Sequence, residues 1–221
     1  RHFQWRVRGN ALWWAFEGIN QLTDNWHYLG VSHYSALQYG LLATWNFSIV
    51  IPAVFETAEL LSVFNVIRRF RQGPKLPLTG PALVAISAFG VLMIPAMALW
   101  PRFVFPVAWM SLFLILDPLN LALGRPSIAS DLRRGDWRNL AAFALGALIC
   151  GWFWEMWNFR ALPKWEYAIP YLGFARVFEM PVLGYLGYLP FGLEVYAGYQ
   201  FLTGWFSRAG AISLPVIRPH E

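Results

Sequence analysis

The sequence predicts an all-α integral membrane protein, a six-helix transmembrane bundle built from a parallel internal duplication. Three observations predict it. Of the 221 residues, 57% are hydrophobic and only 13% are charged, whereas soluble domains carry about 25% charged residues. The apolar residues gather in runs of roughly 20, the length that crosses a hydrocarbon core about 30 Å thick. Two stretches of the chain match one another at an offset of 138 residues.

A water-soluble domain of this composition would lack the polar surface to cover itself. An ordinary soluble enzyme, a disordered tail and a nucleic-acid module are therefore excluded. The net charge of +5 fits the cationic loops of a membrane protein; no nucleic-acid partner is expected. The single cysteine, Cys150, lies inside an apolar run, which excludes a disulfide framework and a thiolate metal cluster.

The spans are expected at about 8–25, 36–66, 81–100, 103–123, 139–162 and 181–205 within one transmembrane domain covering 1–221. The runs are too long for barrel strands and do not alternate. Pro52, Pro95 and Pro190 fall inside spans, where membrane helices accept them as kinks. Arg and Lys favour cytoplasmic loops. With both ends inside, thirteen of the 17 Lys and Arg fall on the inner side. The basic segments 68–75 and 125–138 then read as orientation signals and contacts to anionic lipid. Trp5, Trp100, Trp137 and Trp205 sit near span ends, as interfacial belts do. The expected location is a bacterial inner membrane.

The duplication rests on seven ordered identities. Trp14, Glu17 and Asn20 recur as Trp152, Glu155 and Asn158; Trp26 and Tyr28 recur as Trp165 and Tyr167; Pro52 and Glu56 recur as Pro190 and Glu194. The offset is 138 residues, 139 for the Trp/Tyr pair. Repeat half 1 covers about 8–66 and half 2 about 139–205, with connecting helices over about 81–123. Four spans separate the first helix from the fifth, so the halves share one orientation, related by an axis along the membrane normal. If the fourth span opens the second unit, its counterpart is expected upstream of Arg1.

The repeated residues are the ones a membrane tolerates least. A carboxylate near the bilayer centre costs at least about 2.5–3.5 kcal/mol on insertion scales. Glu17, Glu56, Glu155 and Glu194 are therefore the expected catalytic groups, and the repeat is expected to bring them together. Glu-x-x-Asn puts Glu17 beside Asn20, and Glu155 beside Asn158, on one helical face. Each asparagine amide can donate to a carboxylate or accept from its protonated form. A buried carboxyl that keeps its proton serves as a general acid, and an ionised partner as base. Asn20, Asn158, Trp14, Trp152, Trp26, Trp165, Tyr28 and Tyr167 are the expected substrate-binding residues. Ring faces hold flat apolar molecules and stabilise cations. Tyr185, Tyr188, Tyr196 and Tyr199 read as packing residues or as hydroxyl donors near Glu194.

Trp-Glu and Pro-x-x-x-Glu on short spans are similar to features of small integral membrane terpene cyclases and of one type of lycopene cyclase; the likeness extends to no longer motif. It implies protonation of a double bond.

On the outer side, Asp24, His27 and His33 follow the first span, and Lys164, Glu166, Arg176 and Glu179 follow the fifth. They could hold a head group, but none has zinc-ligand spacing; no metal and no cofactor are expected. The amphipathic stretch 168–180 reads as interfacial. Asp117-Pro118-Leu119-Asn120 reads as the terminus of the fourth span. The leading functional reading is an intramembrane enzyme that cyclises or isomerises a lipophilic, isoprenoid- or lipid-like molecule by Glu acid–base chemistry. The alternatives are a non-catalytic subunit or pigment-, quinone- or lipid-binding module, and a proton-coupled carrier. The expected partners are membrane lipids, a lipophilic small molecule and other membrane proteins.

Overall fold

The computed structural model describes residues 2–168 and 175–206. Arg1, Arg208, Arg218 and part of the 168–180 stretch lie outside the described residues. Helix dominates. The first long element, α1 (His2–Thr23), runs into the strand β1 (Trp26–Leu29) and a 3-10 turn, Val31–His33. Next come α2 (Ala36–Phe47), α3 (Val50–Ser62), the short α4 (Asn65–Arg68), α5 (Gly80–Leu99) and α6 (Pro101–Ala122). After the short α7 (Ile128–Arg134) follow α8 (Arg138–Asn158) and strands β2 (Lys164–Tyr167), β3 (Arg176–Val177) and β4 (Met180–Pro181). A 3-10 turn, Val182–Gly187, leads into α9 (Tyr188–Phe206).

Among the described residues three helical stretches are long and apolar enough to cross a membrane: Ala36–Ser62, Gly80–Leu99 and Arg138–Asn158. Helix α5 is the extreme case. Val84 and Leu92 on it are 69% and 65% exposed, an outer surface suited to lipid tails rather than water. The other expected spans fall on α1, α6 and α9, helices of 22, 22 and 19 residues.

The span expected over 36–66 is instead two helices, broken at Ser48–Ile49. The cause is Pro52. Its ring collides with the carbonyl four residues back, at Ser48, and it has no N–H to offer that carbonyl. Ser48 turns its hydroxyl to the carbonyl of Trp45 at 2.6 Å. Pro190 acts at the same place in α9. Both α3 and α9 begin two residues before their proline.

Packing between helices uses small residues at close approaches. A Cβ on Gly146 would lie 3.2 Å from the backbone nitrogen of Ala58, so α8 and α3 nearly touch. A Cβ on Gly192 would lie 2.1 Å from the carbonyl oxygen of Phe143, so α9 and α8 do as well. The core fills around these contacts with Ile51, Val54, Phe55, Phe143, Val195 and Tyr199. Helix α6 packs on both α5 and α9. Asn120 donates to the carbonyl of Ala197 at 2.9 Å, and Arg125 to that of Phe201 at 2.8 Å.

The segments at the helix ends pair off by type. The basic segments 68–75 and 125–138 bond to each other: Gly73 donates to the Gly135 carbonyl and Trp137 to that of Phe70, at 2.8 and 2.9 Å. At the ends of α1 and α8, β1 pairs with β2 instead. Asp117 is structural, but it caps α7 rather than ending its own helix. Its two oxygens accept from the backbone N–H groups of Ile128 and Ala129 at 2.7 and 2.8 Å.

Candidate functional site

The site grows from the ends of α1 and α8. Strands β1 and β2 are antiparallel, with Trp26 opposite Tyr167, His27 opposite Glu166 and Tyr28 opposite Trp165. The residues matched in the sequence repeat thus sit crosswise, and the His27–Glu166 pair lies at the centre of the exchange. Two asparagines pin the strands. Asn20 accepts from the backbone N–H groups of Asn25 and Trp26 at 3.0 and 3.2 Å and donates to the Trp26 carbonyl at 2.7 Å. Asn158 accepts from the N–H of Trp165 at 2.9 Å and donates to its carbonyl at 2.7 Å. Their role here is to hold Trp26 in β1 and Trp165 in β2, whereas the sequence pointed both asparagines to substrate binding.

The pinned strands deliver their tyrosines to the glutamates one helical turn back from each asparagine. Tyr28 donates to Oε1 of Glu17 at 2.5 Å, and Tyr167 to Oε1 of Glu155 at 2.6 Å. Around this shared motif the two glutamates differ. Glu155 is fully buried, and Oε1 accepts again from Tyr188 at 2.8 Å and from Trp165 at 3.3 Å. Glu17 is only half-buried, and its Oε1 accepts again from Trp13 at 3.1 Å.

The difference traces to one exchange of bulk. Trp13 and Val50 in the first half correspond to Gly151 and Tyr188 in the second, at the offset of 138. A Cβ on Gly151 would lie 2.4 Å from the Tyr188 ring, so the glycine is what admits the tyrosine. Tyr188 then seals Glu155. Beside Glu17 a cleft of about 670 Å³ opens instead. Its walls include Glu17, Asn20, Trp14, Trp26, Tyr28 and Tyr39. Trp13, which donates to Glu17, stands edge-on to Phe191 of α9 at 6.0 Å.

The other predicted residues are placed as follows. Glu194 is fully buried on α9, and among the described residues no side chain donates a hydrogen bond to its carboxyl. Glu56 is exposed on α3. Its core stripe is Ile51, Val54, Phe55 and Ala58, which puts Glu56 on the opposite face of the helix. The expected meeting of all four glutamates is thus replaced by two phenol-bound glutamates, one sealed and one facing lipid or solvent. Among the described residues no group of three or more His, Cys, Asp or Glu could hold a metal ion. Trp152 is exposed and packs on Phe178 and Tyr185, away from the carboxyl of Glu155. Lys164 bridges Glu166 and Glu179 at 3.0 and 2.6 Å, which ties β2 to the turn before β4. Tyr188 serves Glu155 rather than Glu194, and Tyr185 donates to the Val177 carbonyl at 3.1 Å.

Burial, and then the carboxylate of Glu17, push the phenol of Tyr28 well above the ordinary tyrosine range. Burial, with Tyr188 and Glu155 beside it, does the same to Tyr167. A phenol with a raised folded pKa contributes its stability below about pH 10, the unfolded value. That stability is lost as pH rises further. Tyrosinate absorbance should therefore show no ionisation of Tyr28 or Tyr167 near pH 10 in folded protein. A step at pH 10 that Tyr28→Phe or Tyr167→Phe removes would show that the phenol is not held as described.

No family model, no curated protein and no solved structure matches this chain. Trp13, Tyr39, Phe47 and Tyr188 are site residues that the repeat comparison does not select, because none has the same residue 138 positions away. The available signal was the inverse one, a large residue facing a small one exchanged between halves.

Proposed function

We propose that the chain is a six-span membrane protein built from two copies of a helix–strand–helix unit. In this reading the first copy is the reactive one, with Glu17 performing acid–base chemistry on a lipophilic, isoprenoid- or lipid-like substrate. The observation that carries the reading is the contrast between the halves. Glu155 is closed in by Tyr167, Tyr188 and Trp165. Glu17 keeps the same phenol but opens onto the 670 Å³ cleft. No donor among the described residues reaches its Oε2, which is left for a substrate. The location in a bacterial inner membrane belongs to the same proposal.

The chemistry is redox-neutral. Protonated Glu17 gives its proton to one carbon of a double bond, forming a C–H bond and a carbocation at the neighbouring carbon. In a cyclisation the electron pair of a second double bond closes a ring and moves the positive charge to that bond's other carbon; in an isomerisation the charge stays where it formed. In both, the Glu17 carboxylate removes a proton from a C–H bond beside the cation, whose electron pair becomes the new double bond, and the acid is restored. Tyr28 and Trp13 donate to Oε1 throughout and hold the carboxyl in place.

The test is run in D₂O on membranes holding the protein, supplied with an isoprenoid and polyene lipid extract. Wild type is expected to yield a product carrying one deuterium, and Glu17→Gln none while still folding. Absence of labelled product from wild type, or equal labelling by the variant, would overturn the reading. The second reading is a non-catalytic lipid- or pigment-binding module. It draws on both donors of Glu17 ending on one oxygen, as in a structural lock, and it expects a co-purified ligand recovered unchanged.

A further inference from the structure

The charge of the Glu17 cleft has a sign that the reading above leaves unused. We propose that this cleft recognises positive charge on an apolar organic molecule, of the kind an alkylated ammonium group carries. The inference rests on the Glu17 cleft being the substrate site and adds the charge of what it holds.

Two carboxyl groups line the cleft, Glu17 in its wall, anionic once it has given up its proton, and Asp24 at the end of α1. Asp24 is exposed and sits in the left-handed backbone region at φ 48°, a conformation that Asp tolerates. No Lys or Arg is among the described residues that line the cleft, and His27 is its single basic side chain. Five aromatic residues complete it: Trp14, Trp26, Tyr28, Tyr39 and Phe47. Aromatic faces attract a cation through their quadrupole, with Trp the strongest, and a quaternary ammonium suits them best because it needs no hydrogen-bond partners. A chain with 17 Lys and Arg against 12 Asp and Glu thus assembles a cleft with acids, rings and no Lys or Arg. The rings are also set for contact. Trp14 is held by Thr44 at 3.3 Å and edge-on to Phe47 at 5.2 Å, and Tyr28 is edge-on to Tyr39 at 6.0 Å.

The second half is the internal control. Glu155 has a phenol and an indole as well, but Tyr188 fills the space where a ligand would stand. Only the first half offers a carboxylate, rings and volume together.

Positive charge on an apolar molecule has two sources here, a ligand that is stably cationic or a carbocation formed by protonation. An ammonium probe reports on both, since it imitates the second. The probe is hexyltrimethylammonium, with its uncharged carbon isostere 2,2-dimethyloctane as comparison, measured by calorimetry on the full chain in a maltoside detergent. The protein is expected to bind the cation about tenfold more tightly than the isostere, within the range of a desolvated cation–π contact. Glu17→Gln and Asp24→Asn are each expected to erase most of that preference. Glu59→Gln, an exposed acid on α3, should leave it unchanged. Equal binding of cation and isostere by wild type would overturn the inference, as would a preference that survives both variants. If Glu17→Gln does not fold, Asp24→Asn and the wild-type comparison decide. Where the probe also blocks deuterium incorporation, the held cation is the reaction's own; where it binds without blocking, the site serves a stable cation. Deuterium incorporation that depends on Glu17 without any cation preference would leave the acid–base reading standing and this inference refuted.

Discussion

Asn20→Ala is expected to cost about 2–4 kcal/mol of folding stability, because it strands buried backbone groups rather than removing a surface contact. Asn20 answers the N–H of Asn25 and both the N–H and the carbonyl of Trp26. Asn25 and Trp26 are both buried, so water cannot replace the lost amide. The effect should reach Glu17. With Trp26 released, β1 loses its register against β2, and Tyr28 no longer arrives within hydrogen-bonding distance of the carboxyl. Asn158→Ala should act in the same way on Trp165 and the Tyr167–Glu155 bond, with a smaller loss because fewer groups depend on it. The measurement is a thermal melt in mild detergent followed by tryptophan fluorescence. If both alanine variants melt within a degree of wild type, the asparagines do not anchor the strands. Asn20→Asp separates the roles, since it keeps the acceptor for the two N–H groups and gives up only the donor.

The same asparagines show how far the sequence could be read. Glu-x-x-Asn correctly puts each pair on one face, since helical phase is local. What Asn20 binds is set by a turn that returns the chain to it, and no periodicity encodes that. The span expected over 81–100 was legible because such a run can bury or expose its apolar surface in few ways; α5 occupies Gly80–Leu99 and is long and apolar enough to cross a membrane. The proline was legible, since Pro52 stands inside the apolar run; the step between α2 and α3 at Ser48–Ile49, where the Ser48 hydroxyl takes the Trp45 carbonyl, is a local contact that hydropathy does not encode. Glu56 was misjudged for a different reason. Its match to Glu194 fixes sequence position, but burial depends on what packs outside the helix. Helix α6 packs against α9, where Glu194 is fully buried, while Glu56 on α3 is exposed. The different surroundings of Glu17 and Glu155 arise at Trp13, which donates to Glu17, and at Gly151 and Tyr188, which close over Glu155, positions that the matched identities pass over.

Gly192→Ala is the second substitution expected to be severe. The added Cβ would lie 2.1 Å from the carbonyl oxygen of Phe143 and 2.8 Å from the Cβ of Ala147. Neither neighbour can turn aside, for one is backbone in α8 and the other is the root of a side chain. The two helices must therefore separate by about an ångström along a tightly packed seam. Overpacking of this kind costs about 1–3 kcal/mol, more where backbone must move. The strain does not stay local. Two residues along α9 is Glu194, and four residues back is Tyr188, whose hydroxyl reaches Glu155 across the same seam at 2.8 Å. Separation of α8 from α9 should lengthen that bond and admit water to a carboxyl that is now fully buried. Adding Ala147→Gly removes the lesser clash but leaves the Phe143 carbonyl, so the double variant should recover only a minor part of the loss. Full rescue by Ala147→Gly would mean that the seam is set by side chains rather than by the approach of two backbones. A Gly192→Ala protein as stable as wild type would mean that α8 and α9 do not meet as closely as described.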